Sequence, residues 1–584
     1  MQKRTMNLLI FTCGTIIFLL TFSCTPDKGS NQSCNIPGYH SEGPAGHWDT
    51  ADWNRFHNQA TEESFLPIRQ GEPGKVPFWN GYAKRFIYVP SFDFNSVKNS
   101  VKYRYSIISD ANCEYYSFEA KNPWSLLTPV WKDLPVGITY LKVEGIDTDN
   151  NVTGLAGERM FYKAATFNGP YNLPVTDYTS SVIRNMQSLL GQDHYRRWKT
   201  DSVPGQEYRL YCYPSKIVGS IIQAMCMYSG LSEKDREDAI NMAHNAAKYL
   251  LNISLPAGSV LEFFPPTYLE HTKSTNMARE RKDQLMMFYP AIVGNAYLDL
   301  YDVTGVNEYL EASVKIANTY TKTQLLAGSW PLMVWIESGE AVEANLCVPT
   351  DIINFLDRLV LDYGKIQFRE CSKKAFNWIM ENPMKTFHWE GQFEDMGYSK
   401  DYSNMERGKP LAFAVLLLSR SEQEPGYIEM AEELIRFAED QFIIWEQPLP
   451  RELFRTSWRP IPRKAYYTSK WFTPCALEQY DFYTPIDASS ASAIFAYKKA
   501  YEVTGKGLYL AKAIALADNL TVAQNIAGGI YPTYLMDLEG KERFSDPTPG
   551  NNDINYVWTG WLNCATISAS ALMELNELVS GTEQ

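Results

Sequence analysis

Two periodicities divide the chain. Over residues 46–170 apolar positions tend to recur at every second place, in RFIYVP (85–90), VKYRYSII (101–108), YYSFEA (115–120), ITYLKVEGID (138–147) and RMFYKAA (159–165). These runs are rich in β-branched and aromatic residues, and turn-forming segments such as DTDNN (147–151) separate them. Period two with such punctuation predicts short strands, and their succession predicts a small antiparallel β-sandwich over 46–170. From about residue 171 the apolar period becomes 3.6. It predicts helices near 176–191, 214–229, 232–253, 284–304, 306–325, 350–363, 367–382, 407–420, 426–443, 487–504, 507–524 and 557–578.

The helices come in pairs. YDVTGVNEYLEASVKIANTYTKTQLLAG (301–328) recurs 200 residues later as YEVTGKGLYLAKAIALADNLTVAQNIAG (501–528), with eleven of 28 positions identical. Each copy reads as the end of one helix, a Thr-Gly turn and a second helix, with glycine as the C-cap. Aromatic or proline-rich connectors follow the second helices: FFPPTYL (263–269), WPLMVW (330–335), FHWEGQF (387–393), IWEQPLP (444–450) and IYPTYLM (530–536). Five connectors and one closing join make six hairpins. The expected fold is therefore mainly α: an (α/α)6 toroid over 171–584, preceded by the β-sandwich. Its connectors should gather at the mouth of a funnel lined by the inner helices.

The amino terminus predicts an address. Lys3 and Arg4 precede an apolar stretch at 7–20, too short for a comfortable membrane span. Leu20-Thr21-Phe22-Ser23-Cys24 has the form of a lipobox, making 1–24 a lipoprotein signal peptide, Cys24 the lipidated residue and 25–45 a polar tether. The expected location is the periplasm or the outer-membrane surface, with the membrane met only through the lipid. The eight cysteines from Cys34 onward form no C-x-x-C pair, which favours buried thiols over a disulfide or zinc framework. The seven histidines include no H-x-H or H-E-x-x-H pair, so no metal is expected.

A net charge of −13 argues against general nucleic-acid binding. The aromatic content of 14% suits either a large core or a cleft in which flat rings stack on sugars. The unusual residues sit in the connectors. Asp283, Asp351, Asp487 and Asp553 recur at the expected openings of inner helices, where capping alone would explain an aspartate. The same location points a carboxylate into the funnel. The third connector adds His388, Trp389, Glu390, Glu394, Asp395, Asp401 and Arg407. Close carboxylates push one pKa upward, and one protonated acid beside one ionised base is the equipment for glycoside hydrolysis. The fourth connector interleaves Arg451, Arg455, Arg459, Arg463, Lys464 and Lys470 with Trp458, Tyr466, Tyr467 and Trp471. It reads either as a solvated loop or as a cationic, aromatic wall for a sugar carboxylate, which arginine can hold bidentately.

The sandwich resembles the immunoglobulin-like modules that precede many extracellular glycosidases, and the leader, sandwich and six hairpins together resemble the six-hairpin glycosidases of gut Bacteroidetes. Asp283-Gln284-Leu285-Met286-Met287, with Pro290 following, resembles the D-G-L-x-M-x-x-P start of an inner helix in unsaturated rhamnogalacturonyl and glucuronyl hydrolases. That resemblance implies a general acid/base role for Asp283. It departs at Gln284, and a W-G-R-G-x-G-W run of those families is absent. The whole chain is most similar to glycoside hydrolase family 154, which implies exo-β-glucuronidase activity. The expected substrate is an oligo- or polysaccharide carrying a terminal uronic acid, cleaved without a cofactor. Asp283 is expected as acid or base, with Asp351 or Glu390 as its partner. Arg281, Arg407, Arg455 and Arg459 are candidates for the sugar carboxylate, Trp335, Trp389 and Trp471 for stacking, and His388 for substrate contact. A lyase or uronyl epimerase would instead draw its base from His271, His388 or Tyr480, and a non-catalytic glycan-binding lipoprotein is the third reading.

Overall fold

A computed structural model describes residues 48–69, 79–394, 401–446, 472–480, 485–535, 543–544, 554–555 and 557–581. Cys24, the tether, Asp553, and Arg455, Arg459 and Trp471 of the fourth connector lie outside the described residues.

The chain from Trp48 opens with a helix, α1 (Thr50–Glu63), in a segment whose pattern predicts strands. Asp49 starts it as a capping box, accepting the Ala51 and Asp52 amides. Next come β1 (Arg85–Phe86), β2 (Lys102–Ser109), β3 (Tyr115–Ala120), β4 (Gly137–Ile146) and β5 (Val152–Lys163). They form one sheet of order β1-β5-β4-β2-β3, antiparallel except for β1 on β5. The expected sandwich is thus not confirmed: among the described residues the strands form one partly curled sheet. Tyr103, Tyr105, Ile107, Leu141, Val143 and Phe161 are buried on one face, with Phe161 packed against Phe92 and Trp131. Water covers the other face. A half-buried sheet and one layer of a sandwich produce the same alternation, so the period cannot count layers.

The helices are α2 (Tyr178–Leu190), α3 (Pro214–Leu231), α4 (Arg236–Ile253), α5 (Tyr289–Thr304), α6 (Asn307–Thr323), α7 (Thr350–Leu361), α8 (Arg369–Glu381), α9 (Gly408–Ser419), α10 (Gly426–Phe442), α11 (Asp487–Thr504), α12 (Gly507–Ile526) and α13 (Leu562–Gly581), short turns being left unnumbered. Packing order closes them into a ring. α3, α5, α7, α9, α11 and α13 each contact the next, and α13 returns to α3. α4, α6, α8, α10 and α12 each lie against the inner helix before them, while α2 backs α13. The sixth hairpin therefore joins the first and last helices of the toroid. Burial follows position. Outer α4 buries Ala239, Met242, Ala243, Ala246, Ala247 and Leu250, a single stripe at helical spacing, whereas inner α3 is buried nearly all round.

The internal repeat holds in detail. Gly305 and Gly505 both take the left-handed conformation, at φ 69° and 67°, and donate to Tyr301 O and Tyr501 O. Tyr297–Tyr309 and Tyr497–Tyr509 repeat the same stack, at 6.3 and 6.1 Å between centroids. Two helix starts move from their expected places. α5 begins at Tyr289 because 284–286 form a strand, β6 (Gln284–Met286), paired with β7 (Met333–Trp335), and Pro290 sets the first turn. α13 begins at Leu562 because Val557 and Trp558 pair with Leu535 and Tyr534.

The sheet is locked to the ring. Asp440 of α10 accepts the Ile87 and Tyr88 amides at 2.5 and 2.9 Å, and buried Arg85 donates to the Asp440 carbonyl at 2.7 Å. Lys512 of α12 bridges Glu439 of α10 and Glu63 of α1. Cover from α1 explains why outer α12 is buried on almost every side.

Candidate active site

Parallel inner helices bring six first turns to one end of the ring. Lys216, Tyr289, Asp351, Lys409, Asp487 and Cys564 all lie within the first three residues of α3, α5, α7, α9, α11 and α13. Helix N-termini favour anionic partners, so the mouth is suited to hold carboxylates.

The third connector crosses this mouth as a short ladder. Gly391 donates to Asn404 O at 2.7 Å and Glu406 to Trp389 O at 3.2 Å. Beyond it, Glu394 is buried between Lys216 Nζ at 3.3 Å and the Tyr289 hydroxyl, which donates at 2.8 Å. Arg281 donates to the Glu394 carbonyl. Burial pushes the Glu394 carboxyl upward, but Lys216, its own amide and Tyr289 outweigh burial and hold it below the usual carboxylate range. Lys216 stays charged for the matching reason, and its ammonium sits 4.0 Å from the Trp561 ring. The Tyr268 and Tyr289 phenols are raised by burial and by the Glu394 charge.

A second ion pair spans the neighbouring helices. Lys409 of α9 meets Asp351 of α7 at 2.6 Å and lies over the Phe288 ring at 4.3 Å. Glu406 caps α9 by accepting the Gly408 and Lys409 amides. Burial raises its carboxyl against the pull of Arg407 and Lys409.

Asp487 differs from all of these. It opens α11, is buried, and its Oδ2 has no hydrogen-bond partner. Burial alone lifts its carboxyl well above the ordinary range. Arg407 is similarly under-used: its Nε is buried without a partner, and Nη1 reaches only Ser492 Oγ, at 3.4 Å. The Cys564 thiol, raised to about 12 by burial, is within electrostatic reach of Lys216, Glu478, Asp487 and Arg407. Around Cys564 the inner-helix starts thus bring a carboxyl raised by burial and an under-used guanidinium near Lys216, which holds a second carboxyl low.

The sequence candidates separate accordingly. Arg281, Arg407 and Asp351 reach the mouth. Glu390 is buried beside it, accepting from Asn404 at 3.1 Å. Asp283 does not open an inner helix: it sits exposed in the turn before β6, its carbonyl accepting from Ile336. Trp335 faces Gln284 across the β6–β7 pair and is 42% exposed at the rim. Trp389 is corrected from stacking platform to core, since it is fully buried against Phe413. His388 contacts Asp401 O at 2.6 Å and the edge of Tyr402, and burial lowers its pKa. Of the lyase candidates, Tyr480 donates to Gln441, and His271 takes the Lys273 amide. Lys216, Tyr289 and Lys409 carry no motif, and their common offset from inner-helix starts is the one sequence signal that marks them. Among the described residues no group of His, Cys, Asp and Glu is arranged to hold a metal ion, Cys113, Cys212, Cys226, Cys347, Cys371 and Cys564 are free thiols, and no helix is long and apolar enough to cross a membrane.

No protein-family profile matches the sequence, and no curated protein matches it. Solved structures do align. A family 76 glycoside hydrolase from a bovine Bacteroides thetaiotaomicron strain has 9% identity and a TM-score of 0.44, over 82% of this chain and 94% of that one. The cellobiose 2-epimerase of Spirochaeta thermophila has 11% identity and a TM-score of 0.43, over 69% and 98%. An unsaturated glucuronyl hydrolase from Streptococcus agalactiae has 10% identity and a TM-score of 0.40, over 68% and 90%.

Proposed function

We propose that the protein is a glycoside hydrolase that removes a terminal uronic acid, in the first instance β-glucuronic acid, from a glycan. The observation that carries this reading is that Asp487, Arg407 and Lys216 all lie within electrostatic reach of Cys564 at the inner-helix starts, with Glu394 held on Lys216. Two carboxyls with opposed environments divide acid and base work between them. Asp487, whose carboxyl burial raises, is the general acid of this reading and donates to the leaving oxygen. Glu394, kept ionised by Lys216 and Tyr289, serves the opposite step, and water is the second substrate. Arg407 takes the sugar carboxylate with its free donors. A lyase needs a base free to take the C5 proton, and of its candidates His388 is engaged with the Asp401 carbonyl and Tyr480 with Gln441.

The test compares an aryl β-glucuronide with the matching β-glucoside. Release of glucuronic acid without a 4,5-unsaturated, ultraviolet-absorbing product is expected, together with a preference for the glucuronide. A charge-assisted contact contributes about 1.5–3 kcal/mol, so Arg407→Met should reduce the preference roughly 10–150-fold. An unchanged ratio in Arg407→Met and a reduced one in Arg455→Met/Arg459→Met would move the carboxylate site to the fourth connector. A wild-type preference for the glucoside ends the uronate reading.

Acyl chains on Cys24 are proposed to hold the protein outside the inner membrane. Cys24→Ser should shift it from the detergent-soluble membrane fraction to the soluble one, and continued sedimentation with membranes overturns the anchor.

A further inference from the structure

The water-facing side of the sheet carries an ordered apolar row. Tyr115 of β3 is in register with Ile108 of β2, Ile108 with Tyr140 of β4, and Tyr140 with Met160 of β5. Residues in register across antiparallel strands share a face. All four are open, at 61%, 48%, 48% and 45% exposure, whereas their chain neighbours Ile107, Leu141 and Phe161 are buried on the other side. A solvated sheet face is normally polar. The next row along has that character: Ser117, Ser106, Lys142 and Glu158. The Tyr115 hydroxyl donates to Ser106 Oγ at 2.8 Å, which draws the tyrosine across β2 and anchors it there.

We infer that this row is a glycan-docking platform, on which Tyr115 and Tyr140 stack on sugar rings of a neutral polysaccharide chain. The choice of a glycan rests on the carbohydrate reading of the barrel mouth, while the platform itself is a separate surface. Three features favour this occupant. Tyr115 and Tyr140 are two strands apart, about 10 Å, a separation that suits alternate rings of an extended pyranose chain. The flanking charges balance, with Lys102, Arg104 and Lys142 against Glu119, Glu144 and Glu158, and most are paired with one another. Such a surface has no net field for a polyuronate or an anionic lipid. The row is also small. Four half-exposed large side chains present on the order of 400 Å², given about 200 Å² for each when fully open. A stable protein dimer needs about 800 Å² on each partner. The platform would hold the neutral backbone of a branched glycan while the barrel trims its acidic termini.

The experiment is affinity electrophoresis of the full chain through gels containing hydroxyethylcellulose, galactomannan, xylan or polygalacturonate, for wild type and Tyr115→Ala/Tyr140→Ala. Both tyrosines are exposed, so the variant should fold, and its aryl-glycoside hydrolysis should equal wild type. Retardation by at least one of the three neutral polymers, weakened tenfold or more in the double variant, is the expected result. Retardation by none of them, or equal retardation of both proteins, overturns the platform. So does retardation by polygalacturonate alone. Concentration-dependent dimerisation or phosphatidylglycerol-vesicle binding that the double variant abolishes, without a change in polysaccharide retardation, assigns the row to a second copy or a membrane and also overturns it. A protein that is retarded through these tyrosines but inactive on aryl glycosides sustains the platform and sinks the hydrolase reading.

Discussion

Asp283 and Asp487 look alike in the sequence and end in opposite surroundings. Each precedes an apolar run at the expected start of an inner helix. Asp487 is the first residue of α11 and is sealed beneath the Thr533 carbonyl, which accepts its amide at 3.2 Å. Asp283 is held six residues ahead of α5 by the β6–β7 pair and lies in water. Aspartate at a helix start is common because it satisfies free amides. Burial without a partner is what separates a cap from an acid: the carboxyl is raised because the charged form has lost its water and gained nothing in return.

Substituting both residues tests that contrast most severely. Asp487→Asn removes the only proton Asp487 can give, and loss of general acid catalysis costs about 10²–10⁴-fold in kcat. Asp283→Asn should leave kcat within a factor of about two. The pH profile adds a second reading. A carboxyl held above its ordinary range acts while protonated, so wild-type kcat should fall as pH rises through that raised pKa, and Asp487→Asn should lose this limb. If instead Asp283→Asn abolishes turnover and Asp487→Asn does not, the roles follow the family resemblance, and the buried carboxyl is structural.

Glu394 extends the comparison to an acid that is buried with partners. Glu394→Gln leaves Lys216 charged and unpaired between α3 and the third connector, and breaking such a pair destabilises by about 3–5 kcal/mol. Lys216→Met/Glu394→Gln removes both charges and should recover most of the lost stability, though not activity. Denaturant unfolding of the two single variants and the double gives the coupling directly. Additive losses would mean that the 3.3 Å pair contributes little and that Tyr289 alone keeps Glu394 in place.

These contrasts show where the sequence was readable. The twelve helices of the ring and the order of hairpins follow from the 3.6 period and from one repeat, because the inner and outer packing of a ring is written as apolar faces of different width. The sheet's strands were readable for the same reason, but whether they form one sheet or two was not. α1 leaves no such signal because its buried face is only Phe56 and Ala60, too few positions to show a period. The site was half legible. Arg281, Arg407 and Asp351 could be chosen by residue type and connector, but burial depends on which loop crosses which helix end. Neither the exposure of Asp283 nor the enclosure of Trp389 and Asp487 has a local signature. Arg455, Arg459 and Trp471 stand as sequence candidates only.

The smallest expected effect on activity comes from a buried acid placed away from the mouth. Asp518 of α12 is enclosed, accepts the Tyr178 hydroxyl at 2.6 Å and is pushed up to about 8 by burial, which Tyr178 only partly offsets. Its ordinary unfolded value is about 3.9. A folded carboxyl raised in this way binds its proton more tightly than the unfolded chain does. Its contribution to stability is therefore complete below about pH 4 and is lost as pH rises toward 8. Asp440, pushed up to about 7 by burial, acts in the same direction. Wild-type Tm should thus decline by a few degrees between pH 5 and pH 9, a shift of a few kcal/mol spread over a chain this long. Asp518→Asn keeps the oxygen that accepts from Tyr178 and cannot titrate. It should flatten part of that decline, Asp440 supplying the remainder, and leave the pH–rate profile of the aryl glucuronide unchanged. A changed rate profile would mean that Asp518 communicates with the mouth through α11. An unaltered Tm slope would mean that the enclosed carboxyl is already ionised, and that burial without charged partners does not keep a carboxyl protonated in this protein, at Asp518 or at Asp487.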